Sequence, residues 1–299
     1  MNSRDPETAW RPGRFDARRG PSQLLFGRMY EDPAIEARAF RPGGRIFCIA
    51  SAGCTARDLS RHHDVVAVDV NPMQIAYAER RASGAPPLRG KAERMLDRIR
   101  RLAPLAGWRR ARVEEFLDLD DPGAQLEFWR SHLDRTRFRA ATDAIFSPCS
   151  LRAFYAGAFL RGLPRHFGGI LRARLERGFA RHPNRGNPFL RALFLGELPA
   201  GPPPAGAGRI RFVHADAAAF LEGQPRSSFD GFAISNVLDG ARDDYRARLF
   251  AAISRTAAPG AVVVRRSFSE PPGPSPANLA ADDRAMLWGI VEVSPAASP

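Results

Sequence analysis

Hydrophobic runs and small-residue breaks divide the chain into strand-like ends and a helical middle. Residues 45–50 form a short apolar run, followed by Ser51, Ala52, Gly53 and Cys54. A polar helical stretch leads to a second run, Val65-Val66-Ala67-Val68, which ends in Asp69 with Asn71 and Pro72 just beyond. Short apolar runs bounded by turn residues are what buried parallel strands require. Residues 73–81 then predict a helix that packs back on the sheet. Strand signals return at 209–214, which leads into Ala215-Asp216-Ala217, and at Phe229–Ser235, which leads into Asn236. Residues 243–258 read as an amphipathic helix closed by Pro259-Gly260. Further strands are expected at 261–265 and 286–293.

From 84 to 208 there is no strand pattern. Helices are expected at 91–103, 111–119, 124–138, 151–163, 170–179 and 188–195; in the fifth, Ile170, Leu171, Leu175 and Phe179 fall near helical spacing. Aromatic residues such as Phe128, Trp129, Phe138, Phe146 and Phe167 interleave with arginines there. Two readings fit: a cap that binds a greasy acceptor and lies against an anionic membrane face, or an ordinary helical core with a solvated basic surface. Residues 1–22 read as a loose polar tail and 201–208 as a Gly/Pro linker. Asp32 is placed to cap a short helix that starts at Pro33 and ends by Arg41-Pro42-Gly43-Gly44. The expected layout is a tail, a sheet domain of 23–83 plus 209–299, and a helical domain of 84–208.

Composition narrows the class. The 44% hydrophobic share of 299 residues supports a real core. No apolar run approaches the roughly 18–20 residues needed to span a bilayer. The opening MNSRDPETAW carries no apolar signal core, so a cytoplasmic protein is expected. Cys48, Cys54 and Cys149 have neither metal-site spacing nor a disulfide framework, and Cys48 reads as a strand-core thiol. The net charge of +13 is almost all arginine, Lys91 being the sole lysine. Such a surface attracts nucleic acid or anionic lipid. No zinc-finger, basic-zipper or RNA-binding sheet motif accompanies it, so nucleic acid is not the expected partner.

The chemistry lies at the strand ends. A strand, a tight small-residue turn, a helix and a second strand ending in an acid are the parts of a nucleotide-binding βαβ unit. The turn is S-A-G-C rather than a G-x-G-x-x-G fingerprint. Ser51, Ala52 and Gly53 would give a ligand access to backbone N–H groups. Asp69 would accept from ribose hydroxyls; its other reading is a cap for the helix beginning at Asn71-Pro72. Asp216, beside Ala217, would accept from an adenine amino group, and Asn236 lies where the reacting end would be. Glu31 is a candidate for the ammonium of a ligand's amino-acid part, or simply starts a helix. Asp239 is the candidate base, or a cap. His62 and His63 belong to the opposite sheet edge, His214 reads as packed within its strand, and His132, His166 and His182 lie in the insertion. No metal is signalled.

The spacing of Asp69, the A-D-A triplet at 215–217 and the F-D-G-F-A-I-S-N strand resembles class I S-adenosylmethionine-dependent transferases. Y-E-D-P at 30–33, I-A-S-A-G at 49–53, A-V-D-V-N-P at 67–72 and D-R-A-M-L-W-G at 283–289 are similar to the betaine-lipid synthase family. Members of that family are S-adenosylmethionine:diacylglycerol 3-amino-3-carboxypropyltransferases with a long helical insertion after the second strand. The resemblance spans roughly residues 24–293. It implies an α/β, Rossmann-like fold, S-adenosylmethionine as cofactor, and a lipid-like or small-molecule hydroxyl acceptor. It also implies release of methylthioadenosine and a place peripheral to the inner membrane face. Methyl transfer on the same scaffold and a non-catalytic basic binding protein are the rival readings. In one run the chain departs from the family. Where those enzymes carry an S-D-H-M-D-W-like sequence, this chain has Ser235-Asn236-Val237-Leu238-Asp239-Gly240.

Overall fold

A computed structural model describes residues 22–155, 157–198 and 210–296. Its sheet is built from β1 (Arg45–Ile49), β2 (Asp64–Asp69), β3 (Ile210–His214), β4 (Phe229–Ser235), β5 (Ala257–Ser267) and β6 (Ile290–Pro295). The order across the sheet is β3-β2-β1-β4-β5-β6. The first five strands are parallel and β6 runs antiparallel on the edge. From β1 the chain first winds outward through β2 to β3, then returns to lay β4 on the other side of β1. That reversal opens a crevice at the carboxyl ends of β1 and β4, where open α/β sheets bind ligands.

The alternation of side chains along each strand puts one apolar set on each face. Phe47, Val66, Val68, Phe232 and Ile234 pack under α12 (Ala217–Glu222) and α13 (Asp243–Thr256), through Leu221, Leu249 and Ile253. Ile46, Cys48, Val65, Ala67, Ala233 and Val264 face the other way. They meet Ile35 of α1 (Ala34–Ala39), Ala56 and Leu59 of α2 (Cys54–Leu59), Ile75 of α3 (Pro72–Ala82), and Trp288. Both faces being covered explains why these strands read as continuous apolar runs. The fold is the Rossmann-like α/β sheet expected, with a large helical insertion after the second strand.

The insertion comprises α4 (Lys91–Leu102), α5 (Arg110–Leu117), α6 (Pro122–Phe128), α7 (Thr136–Ile145), α8 (Pro148–Phe154), α9 (Gly157–Arg161), α10 (Phe167–Phe179) and α11 (Pro188–Leu190). It has its own core of Trp108, Phe116, Leu117, Trp129, Leu133, Leu175, Phe179 and Leu190. Met286, from the segment before β6, belongs to that core and sits against Gly178, where an added Cβ would meet it at 2.3 Å.

Several expected boundaries move. The single helix expected over 124–138 ends instead in a π-helical turn at Trp129–Leu133, and α7 begins after an extended Arg135. That turn keeps both Trp129 and Leu133 fully buried. The helix expected over 151–163 divides into α8 and α9. The last strand starts at Ile290 rather than 286, because 283–289 forms a buried polar loop described below. The α1 helix begins at Ala34, although Asp32 Oδ1 does accept from the Ala34 N–H at 3.2 Å. The tail up to residue 21 and the linker at 201–208 lie outside the described residues.

Candidate functional site at the sheet edge

Parallel pairing brings the strand ends level. Ile49 of β1 pairs with Val68 of β2, Asp69 with His214 of β3, and Cys48 with Ala233 of β4. The residues that follow each strand therefore gather at one edge. Ser51, Asp69, Asn71, Asp216, Ala217, Ser235 and Asn236 all line one cleft there, which encloses ≈ 650 Å³ of atom-free space including its mouth.

Asp69 organises the cleft. Its Oδ2 accepts the Ser51 N–H at 2.8 Å and its Oδ1 accepts the Asn71 N–H at 2.8 Å. Each carboxylate oxygen keeps a second acceptor position, so the pair can still receive two hydroxyls. Burial pushes the Asp69 carboxyl up to about 6, against the pull of the Asn71 and Ser51 N–H groups. The helix cap falls to Asn71 instead, whose Oδ1 accepts the Met73 N–H at 3.0 Å. Asn71 also donates from Nδ2 to the Gln23 carbonyl, tying down the segment that crosses the cleft.

Asp216 does two jobs. Its Oδ1 caps α12 through the Ala219 N–H at 3.0 Å, and its Oδ2 accepts the Tyr245 hydroxyl at 2.9 Å. Asn236 and Ala217 stand in the wall. Ser51 and Ser235, at the ends of β1 and β4, both adopt left-handed backbone with φ of 42° and 51°. Two such residues flanking the crevice hold strained backbone where a ligand would sit.

Glu31 is beneath this floor. It is buried, accepts the Ser235 hydroxyl, and lies 3.7 Å from the Arg266 guanidinium. Burial raises its carboxyl to about 7, partly offset by Arg266 and Ser235. Arg266 is itself fully buried and binds Glu36 and Asp283, the latter at 2.9 Å. Asp32 holds Arg284 through both oxygens, and Trp288 Nε1 donates to the Tyr30 carbonyl at 2.8 Å. The Y-E-D-P and D-R-A-M-L-W-G segments, far apart in sequence, thus form one polar network under the cleft.

Other expected residues stand elsewhere. Ala52 and Gly53 are absent from the cleft lining. Gly53 has φ of 76°, donates its N–H to the Ala50 carbonyl, and lies where an added Cβ would meet Ala78 Cβ at 3.0 Å. It lets the turn close and α3 approach, rather than presenting its N–H to a ligand. Asp239 is buried and outside the lining. It accepts from Ser267 Oγ at 2.6 Å, the Phe268 N–H at 3.1 Å and Asn236 Nδ2 at 3.2 Å. Its oxygens are engaged in latching β5 to the loop after β4, a poor position for a base. His214 is exposed, not packed, with Nε2 3.2 Å from the Val70 carbonyl.

Sequence reasoning missed Leu25, Phe26, Gln74, Val237 and Tyr245, which also stand in the wall. Gln74 Oε1 accepts the Leu25 and Phe26 N–H groups at 2.7 and 3.1 Å, strapping that segment over the cleft. A polar residue on the inner face of an otherwise packed α3 was the available signal.

No family model matches the chain, and no curated protein matches it. Among solved structures, the rRNA methyltransferase aviRa from Streptomyces viridochromogenes aligns over 81% of this chain and 76% of its own, at 16% identity and a TM-score of 0.30. So loose a likeness decides nothing about activity. Among the described residues, no helix is long and apolar enough to cross a membrane.

Proposed function

We propose that the cleft binds S-adenosylmethionine and that the protein transfers its 3-amino-3-carboxypropyl group to a lipid-like hydroxyl. The observation that carries this reading is the convergence of Ser51, Asp69, Asp216 and Asn236 on one cleft at the topological switch point. Asp69 fits a ribose diol, since it stands in the cleft lining with its two oxygens oriented by the Ser51 and Asn71 N–H groups. Asp216 and the apolar wall of Leu25, Val68 and Val237 suit an adenine ring. When bound, the sulfonium supplies carbons open to in-line attack: loss of the aminocarboxypropyl arm leaves methylthioadenosine, loss of the methyl leaves S-adenosylhomocysteine.

The chain's own part is orientation and proton removal. Asp239 is committed to its three donors, so the proton acceptor is assigned to Glu31 acting through Ser235. The acceptor hydroxyl gives its proton to Ser235 Oγ as that hydroxyl's own proton moves to Glu31. A carboxyl poised near 7 suits that role at neutral pH.

A lipid-like acceptor is supported by the insertion. Leu96, Ile99, Leu102, Phe138, Leu171 and Phe194 line an apolar recess open to solvent, with Arg98, Arg100 and Arg172 also in its wall. The test is incubation with S-adenosylmethionine and diacylglycerol vesicles, followed by identification of the nucleoside released. Methylthioadenosine is expected. S-adenosylhomocysteine would assign methyl transfer instead, and the absence of both would contradict a transferase with this acceptor.

A further inference from the structure

The two most exposed large apolar side chains among the described residues lie three positions apart: Leu102 at 64% and Leu105 at 74%. Leu102 ends α4, and Leu105 stands in the tight helical turn Ala103–Ala106 that follows. Pro104, between them, is also exposed, and Gly107, with φ of 91°, turns the chain back. Trp108 braces this tip from behind. Its Nε1 donates to the Leu133 carbonyl at 3.0 Å, and its ring stacks on Phe138 with centroids 4.3 Å apart. Scattered exposed leucines are ordinary; two on one braced tip mark a surface of interaction.

The charge around the tip has one sign. Residues 94–112 contain seven arginines and one acid, Asp97. That acid is already matched, by Arg89 at 2.7 Å and Arg100 at 2.6 Å. Just beyond, Glu114 pairs with Arg110 at 2.8 Å, and Glu115 is exposed. Arg94, Arg98 and Arg101 are exposed and fall at helical spacing, with Leu102 four positions after Arg98 and Leu105 four after Arg101. They form a solvent-facing basic row that runs into the apolar tip, and exposed Arg109 flanks its far side. Among the described residues, Arg98, Arg101 and Arg109 have no hydrogen-bond or ion-pair partner. The apolar recess of the insertion opens at the same place, since Arg98, Leu102, Ala103 and Ala106 belong to its wall.

We propose that this tip docks the protein on an anionic lipid surface, with Leu102 and Leu105 entering the apolar layer and Arg98, Arg101 and Arg109 meeting the headgroups. Basic side chains beside exposed leucines supply the two signals that such binding combines, apolar burial and attraction to negative lipid. A nucleic acid backbone would engage the arginines and leave the leucines in water. The surface is read from exposure and charge and does not depend on the sheet-edge chemistry. The recess beside it gives an acyl chain a way from the bilayer into the insertion, and that step alone rests on the lipid-acceptor reading.

The test is co-sedimentation of the full chain with phosphatidylcholine vesicles, with and without phosphatidylglycerol, over a range of salt. Wild type should bind the anionic vesicles, more weakly as salt rises, and not the neutral ones. Leu105→Ser should keep the melting temperature and weaken binding by about tenfold, while Leu105→Trp, which keeps the tip apolar, should bind at least as tightly as wild type. Arg101→Ser with Arg109→Ser should weaken binding and flatten its salt dependence. A control pair of equal charge on the sheet domain, Arg211→Ser with Arg226→Ser, should leave binding unchanged. Equal losses in the two arginine pairs would mean attraction of the whole basic chain and overturn the surface. So would wild-type affinity in Leu105→Ser, or no vesicle binding at all. A lipid-free dimer that Leu105→Ser dissociates would assign the tip to a second copy of the chain and overturn it as well. Vesicle binding without release of a nucleoside product upholds this surface while contradicting the transferase, so the two readings fail separately.

Discussion

Single side chains decide what the cleft can do, and the buried carboxylates beside it divide by their partners. Asp239 is committed to Ser267, Phe268 and Asn236. Asp239→Ala should therefore cost about 1–3 kcal/mol of stability, since buried donors lose their acceptor; denaturant unfolding measures it, and an unchanged midpoint would deny the latch. Glu31 behaves differently. Its folded pKa of about 7 lies above the ordinary 4.5, so the folded state holds the proton more tightly. The stability this gives is complete below about 4.5 and is lost as pH rises to about 7. Activity should run the other way, rising as Glu31 ionises through about pH 7. Glu31→Gln should flatten both profiles, and an unaltered rate profile would remove Glu31 from proton transfer. Asp69, Asn71 and Asp216 were legible because each follows a strand signal directly. The roles of Glu31 and Asp239 were not, because they depend on contacts with Ser235 and Ser267, more than two hundred and nearly thirty residues away respectively.

At the level of elements, the strands were the easiest part to read. β4 runs from Phe229 to Ser235 as the apolar run does, because both its faces are buried and its ends are marked by polar residues. Helix ends in the insertion were harder. Nothing local in 124–138 marks the π turn at Trp129–Leu133, which exists to serve the aromatic core. Trp129 packs edge-on or tilted against Phe116, Phe138, Phe179 and Trp108 with ring centroids 5.0–6.0 Å apart. Trp129→Ala should cost about 3–5 kcal/mol through cavity formation, read by chemical denaturation. A loss below about 1 kcal/mol would mean the insertion core repacks without it.

The molecule as a whole is a sheet packed on both faces and a helical insertion with its own core, tied together by buried links. Arg174 of α10 reaches Glu270 at 3.0 Å and the carbonyls of Leu287 and Phe268 at 2.6 and 2.8 Å, and Met286 enters the insertion core. These links fix the helical half to the loops flanking β5 and β6, one chain segment away from Asp239 and Ser235. The layout of sheet and insertion could be read from where strand signals stop and resume. The links could not, since Arg174 is one arginine among many in a basic chain. Calorimetry of S-adenosylmethionine on wild type and Asp69→Ala decides whether the level strand ends form an adenosine site centred on Asp69. Saturable binding by wild type and a loss of roughly 1–3 kcal/mol in the variant are expected; equal affinity in the two, or none in wild type, would rule that site out.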